Sequence, residues 1–568
     1  MSEKLLRYLV EHKMLTQAQA DKVREDHRET GKSVQKLLAE HGAVSEDQLL
    51  EALSAVFRMP TVRLYEEQVA AEVRQLVKPD ILRTHTVMPF AFDPNDPGTL
   101  WVAMDDPMNM RGRDLIGIAS KCRIKPFLAT TADILVNIDK YYGTEEMREA
   151  AELYTQDTDN TLSVEEELMR EAVDSSPVVM LVNSIIEQAA RQRASDIHIE
   201  PERDGVRVRY RVDGVLFVAN QYDHRLLSAI IARVKIISGL DISEKRKPQD
   251  GRSTAVVDGR EYDIRVSTLP TVYGEKVVMR LGLKSAVNLR YSLQTLGFHP
   301  EEEAQFRNIL SRPNGIVLVT GPTGSGKSRT LYSALTELNN VNVNIVTVED
   351  PVEINIDGIN QIQVNPKAGL TFAGSLRSIL RQDPDIIMIG EIRDGETASI
   401  AVQASITGHL VLSTLHTNDT ASSVSRLLDM GVESYLIADS LVGIVAKRLV
   451  RCLCDHCKQP HVLESHELDL LGLTEEEAKN VTVYEPVGCQ RCGGRGFFER
   501  TGVYEILEVT PKLRTLIATR ASTSAIRNAA VEEGMKSLRA SARRLVLDGQ
   551  TTIAEMLRIS VEDDPAVL

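Results

Sequence analysis

Eight consecutive residues constrain this chain more than any others: Gly321, Pro322, Thr323, Gly324, Ser325, Gly326, Lys327 and Ser328 spell GxxxxGK[ST]. An apolar run, Gly315-Ile-Val-Leu-Val-Thr320, precedes them and a helical pattern over 328–339 follows. Glycines in such a turn let backbone N–H groups converge on phosphate oxygens, and the helix N-terminus adds a favourable dipole. Lys327 supplies a point charge for the β- and γ-phosphates, and the Ser328 hydroxyl is a magnesium ligand. The pattern predicts a strand–loop–helix that binds a nucleoside triphosphate.

The surroundings agree. Apolar runs at 344–348, 385–389 and 410–414 are continuous rather than alternating, which predicts strands buried on both faces of a parallel α/β sheet. Hydrolysis needs a water-orienting group and a magnesium-side acid. Two acidic segments fall at predicted strand ends, where ligands of open α/β sheets gather. One is Glu349-Asp-Pro-Val-Glu353, in which Glu353 or Glu349 can orient the attacking water; the other is Glu391, which can hold magnesium. The run into Glu391 resembles a Walker B strand with Gly390 where an aspartate is usual. His409 and His416 bracket the strand 410–414 and are expected near the γ-phosphate.

Of six cysteines, four form two CxxC pairs, Cys454/Cys457 and Cys489/Cys492, a pattern that predicts a structural tetrahedral zinc site. Cys452 offers an alternative ligand, and Cys122 stands alone as an expected buried apolar residue.

The net charge of −15 over 568 residues is unevenly spread. Residues 144–174 hold 11 acidic and 2 basic side chains, a net of −9, which predicts a solvated linker. The rest is near balance, so a strongly basic nucleic-acid footprint is absent. Val206–Val212 alternates, placing Arg207, Arg209 and Arg211 on one face, and Lys245–Arg252 reads as a basic turn. Such a face suits phosphates or acidic protein better than nucleic acid, because no aromatics are interleaved. No apolar stretch approaches a membrane span and the N-terminus lacks a secretory signal, so a cytoplasmic or membrane-peripheral chain is expected.

The first 57 residues read as two helical hairpins repeated at an offset of 29: Leu9-Val-Glu-His12 matches Leu38-Ala-Glu-His41, and Thr16/Gln19 matches Ser45/Gln48 as capping boxes. The expected organisation is a helical module (1–57), a small α/β domain (58–143), the acidic linker (144–175), an N-terminal motor lobe (176–287) and an ATPase lobe (288–568) that includes a zinc-binding segment (452–495).

On the phosphate loop, Glu349–Glu353, Leu380–Asp385, Gly390–Asp394, Gly408–His416, the tetracysteine insertion and Asp548–Thr552, the chain resembles the assembly ATPases of type IV pili and type II secretion, with the pilus-extension branch preferred. The resemblance implies a multidomain α/β protein with a PAS-like lobe and a RecA-like lobe. It further implies a homohexamer that uses ATP, Mg²⁺ and structural Zn²⁺ at the cytoplasmic face of the inner membrane, with a membrane platform protein and accessory proteins as partners. Arg265 and Arg280 match the family's arginines that reach the γ-phosphate, and Arg377 and Arg381 match a second pair near the site. Lys447 departs from a usual Gln in Ala446-Lys-Arg-Leu449, with little effect expected. The N-terminal repeat resembles helical modules that bind cyclic di-GMP. Ser33 and Gln35 replace its Arg and Gly, and Lys13 another Gly, so partner docking is the favoured role and cyclic di-GMP the lesser one.

Overall fold

The computed structural model describes residues 2–12, 14–30, 34–40, 44, 46–64, 67–138, 141–142, 177–283 and 291–559. They form two compact units, 1–289 and 290–568. The acidic stretch 144–174, Lys13 and Ser33 lie outside the described residues.

In the first unit, helices Ser2–Glu11, Gln17–Thr30, Val34–Glu40 and Glu46–Phe57 bury Leu5, Leu9, Val23, Val34, Leu37, Leu38 and Leu53 in one cluster. The first capping box is present: Thr16 N donates to Gln19 Oε1 (3.0 Å) and Gln19 N to Thr16 Oγ1 (3.3 Å). A three-stranded sheet follows, β1 (Val87–Asp93), β2 (Asp96–Met104) and β3 (Arg123–Leu128). The turn between β1 and β2 is tight, because Asp93 already pairs with Asp96. Cys122 is only half-buried, with its thiol directed at Ser120 O (3.4 Å), which corrects its expected burial.

The rest of the first unit is a six-stranded antiparallel sheet in the order β6-β5-β4-β9-β8-β7. Its strands are β4 (Asp196–Pro201), β5 (Val206–Val212), β6 (Val215–Tyr222), β7 (Gln249–Val257), β8 (Arg260–Thr271) and β9 (Gly274–Leu283). Helices Pro177–Arg191 and Leu227–Ile237 cover one face, against Ile197, Val208, Ile264 and Met279. Strict alternation in β5 leaves Arg207, Arg209 and Arg211 on the other face, as the sequence predicted. The basic turn 245–252 is corrected, because its last four residues open β7.

The second unit is built on a seven-stranded sheet, β12-β11-β13-β14-β10-β15-β18. The members are β10 (Gly315–Thr320), β11 (Ile345–Glu349), β12 (Asn360–Gln363), β13 (Ile386–Ile389), β14 (Leu410–Leu415), β15 (Leu441–Leu453) and β18 (Phe497–Glu508), and every neighbouring pair is parallel except β15 with β18. β10, β11, β13 and β14 are buried along their whole lengths, because helices cover both faces. A small insertion between β15 and β18 carries β16 (Gln459–His461) and β17 (Val483–Glu485). Among the described residues, no helix is long and apolar enough to cross a membrane.

Candidate functional site

The phosphate loop leaves the C-terminal end of β10 and enters the helix Lys327–Leu338. Gly321 has φ +145°, and a Cβ there would come within 2.4 Å of Lys447 O, so no larger residue fits that first position. Ser325 Oγ is buried without a protein partner, as befits a hydroxyl in a loop shaped to surround an anion. Lys327 is buried too; its Nζ donates to Gly321 O (2.8 Å) and Pro322 O (3.2 Å), and burial holds its pKa below the ordinary lysine value. Loop, lysine and Ser328 therefore fit a magnesium–triphosphate.

Glu391 follows β13 between two residues pinned to β14. Thr414 Oγ1 donates to Gly390 O (2.8 Å) and Ile392 N donates to Thr414 O (3.1 Å). Its carboxylate meets His416 Nε2 at 3.4 Å and pairs with Arg393, whose pKa rises through that bond. The loop holding His416 is tied back to the end of β10, where Thr417 N donates to Thr320 Oγ1 (3.0 Å). The C-terminal ends of three adjacent strands thus bring Lys327, Glu391 and His416 together.

The other acidic segment divides into two roles. Glu349 is 4% exposed, and its carboxylate accepts from Tyr332 Oη, Thr347 Oγ1 (2.6 Å) and Gln361 Nε2 (3.0 Å). Glu353 is exposed, and its backbone N–H donates to Tyr332 Oη (3.2 Å). One tyrosine on the phosphate-loop helix therefore anchors both ends of this segment. No local pattern marks this role, since Tyr332 occupies an ordinary helical core position.

His409 is corrected. It precedes β14, its backbone O accepts from Gly315 N at the start of β10 (3.1 Å), and its Nδ1 lies 2.8 Å from Ala404 O. A six-residue strand separates it from His416, about 20 Å at ~3.3 Å per residue. The two histidines therefore do not share one phosphate site. Arg377 pairs with Glu396, and Arg381 donates to Arg377 O (2.8 Å) and Ser378 Oγ (3.2 Å), so neither is engaged with the phosphate loop of its own chain.

In the cysteine insertion the four expected Sγ atoms lie within 4.8 Å of one another. Cys454–Cys489, Cys457–Cys492 and Cys489–Cys492 are each 3.8 Å apart, the edge of a tetrahedron whose corners sit about 2.3 Å from its centre. Backbone N–H groups of Cys489 and Gly496, each at 3.1 Å, point at Cys492 Sγ. Burial works to raise the Cys492 pKa, but these donors outweigh it and bring the thiol down to about 7, while burial pushes Cys454 up to about 12. The set suits a thiolate-binding metal, and Cys452 is outside it. The insertion hangs from paired strands, since Leu453 of β15 faces Phe497 of β18.

Residues 171–558 match the family described as type II/IV secretion system protein. The chain belongs to this family. A second match, the MshEN domain, spans residues 57–148, the small α/β domain, and leaves the helical module outside. The chain is 42% identical over 576 residues to the type IV pilus assembly ATPase PilB of Myxococcus xanthus, covering 99% of this chain and all of the relative. It is 39% identical over 563 residues to the type II secretion system protein E of Xanthomonas campestris, covering 98% of each. Among solved structures, the ATPase DotB of Yersinia pseudotuberculosis is similar in fold, with a TM-score of 0.50 at 23% identity over 67% of this chain and 93% of that one. The resemblance read from the motifs thus extends over nearly the whole chain.

Arg265 and Arg280, matched through that resemblance to the arginines that reach the γ-phosphate, lie in the first unit. Arg265 on β8 directly faces Arg280 on β9. Pairing continues on both sides, Arg252 facing Arg265, and Arg280 and Arg211 both facing Asp196. Four arginines therefore cross the polar face in one row, with Asp196 3.3 Å from Arg280 Nε and 3.6 Å from Arg211 Nε.

Lys447, expected to matter little, is another residue that sequence reasoning missed. It is buried, and its Nζ donates to Thr330 Oγ1 (2.9 Å) and Gly326 O (3.3 Å) of the phosphate-loop region. The local sequence hid this, because the partners are more than 100 residues away.

Proposed function

We propose that this family member is a hexameric motor ATPase that couples ATP hydrolysis to type IV pilus assembly at the cytoplasmic face of the inner membrane. The observation that carries the reading is the convergence of the phosphate loop, Glu391 and His416 at the ends of β10, β13 and β14. The full-length likeness to the Myxococcus xanthus pilus assembly ATPase selects the pilus branch.

Ser328 and Glu391 hold magnesium, which when bound neutralises charge on the β- and γ-phosphates. Lys327 holds the same phosphates. Glu353 orients the attacking water, a role left to it because the Glu349 carboxylate is occupied by three internal donors. His416, against Glu391, senses the γ-phosphate through a hydrogen bond. Arg265 and Arg280 answer the charge that develops there, a role that their place in a row of guanidinium groups suits. Cys454, Cys457, Cys489 and Cys492 hold a structural zinc ion. A platform protein of the inner membrane and pilus accessory proteins are the partners. Partner docking remains the role of the helical module, where Gln35 is engaged with Asp106 (3.4 Å) rather than free for a ligand.

A second reading, pseudopilus assembly in type II secretion, is favoured by the Xanthomonas campestris relative. Complementation separates the two: the chain should restore surface pili to a strain lacking its pilus assembly ATPase. Restored secretion in a strain lacking the type II ATPase, with no pili in the first, would overturn the pilus assignment.

A further inference from the structure

Strand β15 carries one side chain behind the phosphate loop that triphosphate binding does not account for. Lys447 is 2% exposed, with Nζ on Thr330 Oγ1 and Gly326 O and 5.2 Å from the centroid of the Tyr504 ring. Two of its three donors meet oxygens and the ring face receives the charge. Its own carbonyl is the atom against which Gly321 is packed. Lys447 therefore touches the first glycine of the loop through its backbone and the last through its ammonium.

The charged and titratable groups around it are few. Arg329 lies on the same helix as Thr330 and repels it. Tyr504, across the β15–β18 pairing, directs its hydroxyl to Leu296 O (2.8 Å) and itself feels Glu302. Lys327, in the loop, is bonded to Gly321 O and Pro322 O. Among the described residues no carboxylate forms an ion pair with Lys447, so its positive charge is left for whatever anion the loop holds.

We propose that Lys447 is a positioning residue of the nucleotide site, whose ammonium holds Gly326 and the first helical turn in the phosphate-binding shape and whose charge is coupled to that of the bound phosphates. The proposal rests on the loop binding nucleotide, as argued above. Burial, reinforced by Arg329, brings Lys447 down to about 7, so both of its forms are populated near neutrality. Phosphate charge beside it favours the ammonium, and by reciprocity the ammonium favours phosphate. Affinity therefore falls as pH rises through the titration of Lys447, by about tenfold for each pKa unit that binding adds.

The test is calorimetry of magnesium–ADP binding to the full chain at about pH 6.5, 7.5 and 8.5, in buffers of different ionisation enthalpy. Wild type is compared with Lys447→Gln and Lys447→Met, whose folding is checked by thermal melting. Wild type should take up a fraction of a proton on binding at about pH 7.5 and weaken roughly tenfold from the lowest pH to the highest. Both variants should take up less and show flatter affinity, which loss of packing alone would not produce. Equal proton uptake and equal pH slope in wild type and variants overturn the proposal. If neither variant folds, wild type decides, and binding without proton uptake overturns it. No magnesium–ADP binding at any pH overturns the nucleotide reading itself, a different result from pH-independent binding.

Discussion

Removing the Tyr332 hydroxyl tests how the acidic segment is held. Tyr332→Phe keeps the ring, which is 2% exposed and packs edge-on to Tyr291 with centroids 5.8 Å apart, so no cavity opens. Two hydrogen bonds are lost. One goes to the buried Glu349 carboxylate, and a bond to a charged group contributes about 1.5–3 kcal/mol. The other accepts from Glu353 N, and leaving that partly buried donor unmet costs about 1 kcal/mol, the lower end of the usual range. The sum is about 2.5–4 kcal/mol. At ~2 °C per kcal/mol for a unit of this size, melting of the ATPase lobe should fall by about 5–8 °C. Loosening Glu353 should lower kcat by about ten- to a hundredfold, and KM for ATP should change much less because the phosphate loop keeps its contacts. Scanning calorimetry and steady-state phosphate release measure the two effects. A variant that melts within about 1 °C of wild type and turns over equally would refute the claim that Tyr332 holds this segment.

Three further outcomes are expected. Metal analysis of the purified chain should find one zinc per chain, and a chelator should expose residues 452–495 to protease before the rest of the lobe; less than about half an equivalent contradicts the four-thiolate site. The Glu200 carboxyl is raised by burial but more strongly lowered by Arg209 and Lys276, to about 2, so its stabilising effect is complete above its ordinary value of 4.5 and lost as pH falls toward about 2. Glu200→Gln should therefore lower the melting temperature of the first unit at pH 7 and not at about pH 2; an equal loss at both contradicts the ion-pair account. Arg280→Gln should reduce kcat by at least about a hundredfold without lowering thermal stability to match, as expected of a guanidinium that answers γ-phosphate charge.

The parts that were legible in the sequence share a physical cause. The phosphate loop and the four cysteines are short motifs whose backbone demands or ligand spacing are written in adjacent residues: Gly321 takes a positive φ, and the four sulfurs lie within 4.8 Å of one another. The central strands were legible because burial on both faces leaves an uninterrupted apolar run. What escaped depends on pairing across long separations. Lys447 reaches the loop only because β15 lies beside β10, and the arginine row exists only through the register of five strands. His409 was misplaced for a different reason. Two histidines of the same type at the two ends of one strand look equivalent in sequence, yet in a parallel sheet only the C-terminal end meets the nucleotide. Glu349 and Glu353 were likewise indistinguishable until Tyr332, Thr347 and Gln361 were found around the former.

ATP hydrolysis is proposed at the site formed by the phosphate loop and Glu391. The most direct measurement is magnesium-dependent phosphate release by the assembled wild-type chain and by Glu391→Gln, which keeps the side-chain size and removes the charge. Wild type should turn over ATP, and the variant should bind it and lose at least about a hundredfold in kcat, roughly 2.7 kcal/mol of transition-state stabilisation. Equal hydrolysis by the two would contradict the site, and no hydrolysis by either would contradict the motor.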